Sequence, residues 1–268
     1  MDVKLAGRQA AVPPQARWRP WLLAAGMALM VACLLPPLLV LARRYLFVES
    51  VEFCVFAMAA PALVVLAAPW SLVRPPRGGS RLVDRLAAGR RRRASPVPAL
   101  GYLVAWVVIC LGWRLLPVLD ALARHPALVV AELLTLFAAG TLLWLELVPS
   151  PPFAPRLAYP QRAGVAALAM WSIWAIAYVL GFAAHAVVPA YDGAGSHLSP
   201  LADQEITAFL LWAVAGVCFI PVIFVTLLTW LKEGAEAAGE PAGPTAPAGV
   251  RGWGGSARQG RRRHGSGQ

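Results

Sequence analysis

Six apolar stretches, each longer than twenty residues, dominate this chain of 268 residues. They cover residues 20–41, 46–73, 97–119, 127–148, 164–188 and 206–231. A bilayer core about 30 Å thick is crossed by roughly 20 apolar residues in an α-helix. Strands of a membrane barrel are shorter and alternate in polarity. The sequence therefore predicts an all-α fold, a polytopic membrane bundle of six transmembrane helices.

The composition argues against a soluble globular protein. Hydrophobic residues make up 59% of the chain and charged residues 14%. Soluble domains average about 45–50% apolar and about 25% charged residues. We therefore expect the lipid bilayer to surround most of the chain.

The basic residues predict the orientation, because cytoplasmic loops carry an excess of Lys and Arg. Twenty of the twenty-four Lys and Arg residues fall on one side, in the N-terminal segment, the loops after the second and fourth stretches, and the tail. The other side holds Arg43, Arg44, Arg114 and Arg124. Both termini are therefore predicted to be cytoplasmic. This topology explains the net charge of +11, so we expect no nucleic-acid partner.

The predicted organisation has three parts. Residues 1–19 form a cytoplasmic N-terminal arm, and residues 20–231 form the bundle, with a basic cytoplasmic loop at 74–96. Residues 232–268 are rich in Gly, Ala, Pro and Arg, which predicts a disordered basic cytoplasmic tail. The sequence has no phosphate-binding Gly-rich loop with Lys, no His-Glu-x-x-His and no Gly-x-Ser-x-Gly. We therefore expect no enzymatic activity.

Polar residues gather at the predicted outer ends of the helices. The candidate outer-face polar site consists of Glu49, Glu52, Arg114, Asp120, His125, Glu132, His185, Asp203 and Gln204. An ionisable residue within a span costs a few kcal/mol or more and usually faces a partner or a wet cavity. Residues near the interface are also explained by simple solvation. For the deeper Glu52, Arg114 and Glu132, a structural ion-pair network and a functional site are equally good interpretations.

Three segments of this sequence carry a family resemblance. Residues 58–69 read Met-Ala-Ala-Pro-Ala-Leu-Val-Val-Leu-Ala-Ala-Pro. Residues 113–117 read Trp-Arg-Leu-Leu-Pro and are followed by Asp120, His125 and Glu132. Residues 201–204 read Leu-Ala-Asp-Gln at the start of the last stretch. The segments resemble CtaG-type assembly factors of bacterial caa3 cytochrome c oxidases, over residues from about 47 to 236.

The resemblance implies a multi-pass protein of the bacterial plasma membrane that assists the assembly of a haem–copper oxidase, with copper loading on the outer face as the step. It also implies oxidase subunits or a copper carrier as partners.

The alternative is a small transporter or channel that uses the outer polar site as its entry. Against transport, we find no internal repeat and no pair of broken helices in matching halves. A membrane-embedded hydrolase is disfavoured because no nucleophile–base pair stands out.

Copper is the cofactor that the resemblance implies, but no cofactor is certain and the metal ligands are unknown. The family's second helix resembles His-x-x-x-His, a spacing suited to copper. Those positions fall here on Glu49 and Phe53, and two further family histidines fall on Arg114 and Leu133. We therefore expect weak or no copper binding. We also expect Arg114 to pair with Glu132, Glu52 or Glu49, as a fixed cation in place of the metal.

Overall fold

The computed structural model describes residues 18–72, 81–92, 95–188, 191 and 198–239. Its α-helices are α1 (Arg19–Cys33), α2 (Pro36–Ala42), α3 (Leu46–Cys54), α4 (Ala60–Ala67), α5 (Pro69–Leu72), α6 (Arg81–Arg92), α7 (Val97–Trp113), α8 (Leu116–Arg124), α9 (Pro126–Leu147), α10 (Tyr159–Gly181) and α11 (Pro200–Gly239). A π-helical turn at Val55–Ala59 joins α3 to α4. No strand is assigned within these ranges. The predicted all-α bundle is confirmed.

Four helices are long and apolar enough to cross a membrane: Leu46–Ala67, Ala127–Leu147, Tyr159–Gly181 and Pro200–Glu236. Two further pairs of helices, α1 with α2 and α7 with α8, are long and apolar enough only when each pair is counted as one span. The two helices of these pairs meet at bends of 62° and 65°. The described residues therefore provide four spans, or six if each bent pair crosses as one. The count of six and the cytoplasmic termini stay predictions.

Proline explains both bends. Leu35 directly precedes Pro36 and has an extended backbone, with ψ of 137°. The residue before a proline avoids the α-helical region, because the proline ring clashes with its backbone. Leu115 is also extended, with ψ of 134°, and Pro117 stands two residues later in the first turn of α8, where its ring would clash with the carbonyl of Trp113 if α7 continued without a break. A proline is tolerated in a first turn because no helical hydrogen bond is lost there.

The π turn lies at the centre of the bundle, and two hydrogen bonds stabilise it. Pro61 has no backbone N–H, so the Ala57 carbonyl lacks its usual partner four residues later. The indole N–H of Trp106 on α7 donates to that carbonyl at 3.1 Å. The backbone N–H of Ala60 donates to Val55 five residues earlier, the π-helical pattern. The indole thus replaces the hydrogen bond that the proline removes.

Gly140 allows α9 to approach the π turn closely. A Cβ atom at this position would lie 2.5 Å from the Ala57 carbonyl oxygen and 2.8 Å from Pro61 Cγ. Both distances are shorter than van der Waals contact, so no larger residue fits without movement. One turn further along α9, Trp144 stacks on Phe219 of α11, with ring centroids 5.4 Å apart. Pro61, which lies in one of the segments that carried the family resemblance, therefore takes part in a central packing contact.

Three element boundaries differ from the sequence-based expectations. The predicted loop at 74–96 contains the helix α6. The fifth helix spans Tyr159–Gly181 rather than 164–188, because Pro160 occupies its first turn and the Gln161 side chain accepts the Ala158 N–H. The chain divides at Leu231 into two compact units, and residues 232–239 of the second are helical. The predicted arm, except residues 18–19, and the rest of the tail lie outside the described residues.

Candidate functional site

Arg114 and Glu49 form a buried ion pair at the predicted outer end of the bundle. Arg114 Nη1 donates to Glu49 Oε2 at 2.5 Å, and Nη2 donates to Glu49 Oε1 at 3.0 Å. Nη1 also donates to the Ser50 hydroxyl at 3.2 Å. The guanidinium lies over the Phe53 ring, 3.8 Å from its centroid. The ion pair expected for Arg114 is therefore confirmed, with Glu49 as the partner.

The bend between α7 and α8 positions the arginine. Arg114 is the C-terminal cap of α7, directly before the extended Leu115. Glu49 lies in the first turn of α3, where a carboxylate also interacts favourably with the positive end of the helix dipole. The planar guanidinium can engage both carboxylate oxygens at once, and it stays charged at every physiological pH. The pair is consequently neutral as a unit.

Asp203 caps the start of α3 from a distant part of the chain. Its two carboxylate oxygens accept the backbone N–H groups of Leu46 and Phe47, each at 2.8 Å. The residue at the usual N-cap position, Tyr45, makes no side-chain capping hydrogen bond. Asp203 therefore satisfies donors that the local sequence leaves unpaired. This contact joins the first turn of α11 to the first turn of α3.

Gln204 fastens the segment after α10 to α11. Its side-chain oxygen accepts the N–H of Val187 at 2.8 Å, and its amide nitrogen donates to the carbonyls of Leu180 at 2.8 Å and His185 at 3.4 Å. The side-chain atoms of Asp203 and Gln204 are thus engaged by backbone groups. The Leu-Ala-Asp-Gln run therefore has a structural explanation.

Glu52 and Glu132 lie beside the ion pair and are almost completely buried. Their exposed fractions are 4% and 2%. The Oε1 atom of each has no hydrogen-bond partner. Together with Glu49 and Tyr191, they line a cavity of about 330 Å³. Burial, followed by the nearby Glu49 carboxylate, raises the pKa of Tyr191, so its phenol stays protonated at neutral pH.

The remaining predicted site residues lie apart from this cavity. His125 is exposed at the N-cap of α9, and His185 is exposed after the end of α10. Asp120 is half-buried on α8. None of these three residues is among the described residues that line the cavity. The structure therefore brings together Glu49, Glu52, Arg114 and Glu132 from the predicted set.

A second charged cluster occupies the other end of the bundle, and the sequence-based site did not include it. Glu146 is fully buried near the end of α9. Arg90 of α6 forms an ion pair with its Oε1 atom at 2.8 Å. Arg156 bonds the same carboxylate through its backbone N–H at 3.2 Å and its Nε at 3.0 Å. Glu146 as an acidic residue within a span, with Arg156 ten positions later, was the signal that sequence reasoning could have used.

Burial and neighbouring charges shift the pKa of these two arginines in opposite directions. Burial lowers the pKa of Arg90, although Glu146 opposes that shift. For Arg156, burial again acts to lower the pKa, but hydrogen bonds to Glu146 and Tyr102 and the charges of those groups outweigh it and raise the pKa. An arginine remains protonated at neutral pH in either case. The cluster therefore holds α6 against the end of α9 through charge-assisted hydrogen bonds.

The residues that the structure describes do not fit a copper site. Within the described ranges, no group of three or more His, Cys, Asp or Glu side chains is arranged to hold a metal ion. Cu(I) prefers thiolate, thioether and imidazole ligands, whereas carboxylates suit harder ions. At the position where the resemblance implies an imidazole, Arg114 places a positive charge on Glu49. A second cation at that carboxylate would be repelled.

Comparison with known proteins gives one finding about the family. A family model described as cytochrome c oxidase caa3 assembly factor (Caa3_CtaG) matches residues 3–233. The match includes all nine residues of the predicted polar site and, among the described residues, the candidate spans up to residue 233 of Pro200–Glu236. Neither the curated proteins nor the solved structures contain a significant match.

Proposed function

The chain belongs to the Caa3_CtaG family of caa3 cytochrome c oxidase assembly factors, and from this membership we propose that it assists the assembly of a haem–copper oxidase without catalysing a reaction. The family match over residues 3–233 is the observation that carries the proposal. The helices long and apolar enough to span a membrane support a site of action within the bilayer. The bacterial plasma membrane, where such oxidases are assembled, is the proposed location.

The proposed step is copper loading on the outer face, with an oxidase subunit or a copper carrier as partner. The buried charges at the predicted outer end support this location. The Arg114 guanidinium supplies a positive charge where the resemblance implies a metal. In this proposal the chain therefore acts on the proteins of the copper-loading step and does not hold the metal itself. No specific observation favours the transporter or channel interpretation.

Deletion of the gene in its own bacterium tests the proposal. We expect the deletion to lower the amount of assembled oxidase, measured by the haem a absorbance of membranes and by oxygen consumption with reduced cytochrome c. Re-expression of the full chain should restore both signals. Wild-type levels of assembled, active oxidase in the deletion strain would contradict the proposal.

Two further measurements locate the step. The copper content of oxidase purified from the deletion strain should be low relative to its haem content if copper loading is the affected step. Extra copper in the growth medium should not restore the enzyme, because the proposed role is an action on proteins rather than delivery of the metal. Full restoration by copper alone would instead assign a copper-supplying role to the chain.

A further inference from the structure

Two buried carboxyl groups at the predicted outer end each have one oxygen atom that accepts no hydrogen bond. Glu49 is matched by the Arg114 guanidinium. Glu52 and Glu132 are buried beside this pair, and the Oε1 atom of each has no partner. A buried polar atom without a partner is costly, and the cost is greater for a charged group. The Oε1 atoms of Glu52 and Glu132 therefore need a donor that the described residues do not provide.

The two carboxyl groups lie at a similar depth and face one cavity. Glu52 and Glu132 each follow the first residue of their helix, Leu46 or Pro126, by six positions. At a rise of about 1.5 Å per residue, each lies about 9 Å along its helix. Both line the cavity of about 330 Å³. Cavities that bind small ligands begin at about 300 Å³, so a small head group fits.

The cavity reaches the side of the bundle. Leu34, Val130 and Leu134 line it and are 49%, 59% and 65% exposed. Leu34 lies at the bend between α1 and α2, and the other two lie on α9. Exposed apolar residues on membrane-spanning helices contact acyl chains. A molecule can therefore enter this cavity from the bilayer between the bend and α9.

A basic residue lines the same cavity close to its mouth. Arg43, the C-terminal cap of α2, is exposed and contributes to the cavity wall. A guanidinium binds phosphate well, because its planar fork matches two oxygens. The cavity thus combines acidic groups inside, a guanidinium near the opening and apolar walls toward the lipid.

This combination matches one class of molecule. We propose that the cavity binds an aminophospholipid, with its primary ammonium group between Glu52 and Glu132, its phosphate at Arg43 and an acyl chain along Leu34 and Val130. A primary ammonium carries a positive charge and three N–H donors, enough to reach the unpaired oxygen of each carboxyl group. The quaternary ammonium of a choline lipid has no N–H donor. The cavity therefore selects ethanolamine over choline lipids, independently of the proposed assembly function.

Lipid retention by the full chain tests this assignment. The protein is placed in nanodiscs with equal amounts of phosphatidylethanolamine, phosphatidylcholine and phosphatidylglycerol, and retained lipids are counted by native mass spectrometry after extraction. We expect phosphatidylethanolamine to be retained about tenfold more than phosphatidylcholine, the difference that one charge-assisted hydrogen bond supplies. Equal retention of the two would overturn the proposal. A preference for phosphatidylglycerol would assign binding to the arginine alone and overturn it as well.

Matched variants locate the site. Glu52→Gln and Glu132→Gln keep the side-chain size and remove the charge, so each should reduce the ethanolamine preference about threefold, and the two changes together should remove it. Glu205→Gln makes the same change at an exposed residue of α11 and should leave the preference intact. A preference that survives the double variant Glu52→Gln/Glu132→Gln would place the lipid elsewhere.

A measurement on the unaltered protein tests the proposal even if the variants fail to fold. Successive N-methylation of the ethanolamine head group removes one N–H donor at a time, so retention should fall stepwise from ethanolamine to choline lipid. A flat series would contradict the assignment. Displacement of the lipid by free ethanolamine at the same concentration would assign the site to a soluble amine rather than a lipid.

Discussion

Arg114 and Glu49, separated by sixty-five positions in the chain, face each other so that Nη1 donates to one carboxylate oxygen and Nη2 donates to the other. The pair links the bend after α7 to the first turn of α3. Its surroundings are buried, with Ser50 and Phe53 in contact. Removing one partner from such a pair leaves an uncompensated buried charge, whereas removing both leaves none.

Replacement of one or both partners should therefore have very different effects. Arg114→Met alone is expected to lower the free energy of unfolding by about 3–5 kcal/mol, while Arg114→Met with Glu49→Leu should be nearly neutral. Denaturant unfolding of the purified protein in micelles measures both. Arg124→Met, at an exposed arginine of α8, is the control and should change little. A double variant as unstable as the single one would contradict this explanation.

Gly140→Ala should destabilise the protein, because the added methyl group meets the Ala57 carbonyl and Pro61. Overpacking of this kind costs about 1–3 kcal/mol. Gly101→Ala is the matched control, since a Cβ at that helical position meets nothing within 4 Å. It should be neutral or stabilising by up to about 1 kcal/mol, because alanine favours the helix. Similar melting temperatures for the two variants would disagree with the close approach of α9.

Trp106→Phe removes the donor that satisfies the Ala57 carbonyl. The buried carbonyl is then unpaired, which costs about 1–3 kcal/mol. Trp171→Phe, at a half-exposed tryptophan of α10, makes the same chemical change at the surface and should cost less than half as much. The comparison uses thermal unfolding in one detergent. An equal loss of stability in both variants would contradict a contribution from this hydrogen bond.

Purified protein should bind less than one equivalent of copper in the presence of a Cu(I) chelator. The reason is that Cu(I) prefers imidazole, thiolate and thioether ligands. Where the resemblance implies imidazoles, this chain has the Glu49 carboxylate, which is already paired with the Arg114 guanidinium. Metal analysis after dialysis gives the ratio of copper to protein. Replacement of Glu49, Phe53 and Arg114 by histidine should raise that ratio. Chelator-resistant copper at one equivalent in the unaltered chain would contradict the expectation.

Reporter fusions test the predicted orientation. A fusion after Arg93 should report the cytoplasm, and one after Asp192 should report the opposite side, because the excess of basic residues lies on one side of the predicted topology. Fusion after Leu231 should agree with the first. Identical locations for the fusions after Arg93 and Asp192 would reject the arrangement of six spans.

The lengths of the apolar stretches were sufficient to predict the helices, but not their bends. The stretch at 97–119 is apolar throughout, so its hydrophobic pattern does not show the bend at Leu115, and Pro117 was the one sign of it in the sequence. The run of arginines at 90–93 suggested a loop, although α6 extends into it to Arg92. That helix is held by Glu146, a contact between residues far apart in sequence.

The sequence was sufficient to predict which residues form the buried cluster, but not which glutamate forms the ion pair with Arg114. Glu49, Glu52 and Glu132 were all candidate partners of Arg114, and only the packing of α3 against the bend brings Glu49 to it. Asp203 was predicted as a site residue because it lies among the polar residues of the predicted outer end, and the sequence did not predict that it caps α3, 157 positions away. The poor capping residue Tyr45 was the one local sign that α3 needs an acceptor from elsewhere.

The contact between Asp203 and the start of α3 also sets an order of events during biosynthesis. Asp203 and Leu46 are separated by 157 positions, which a ribosome translating at about 5–20 residues per second crosses in roughly 8–30 s. During that interval the second span is already synthesised, while its first N–H groups have no acceptor from Asp203. The outer end of the bundle is therefore completed only after the last helix has emerged, and a chain interrupted before α11 leaves the buried carboxylates beside an uncapped helix.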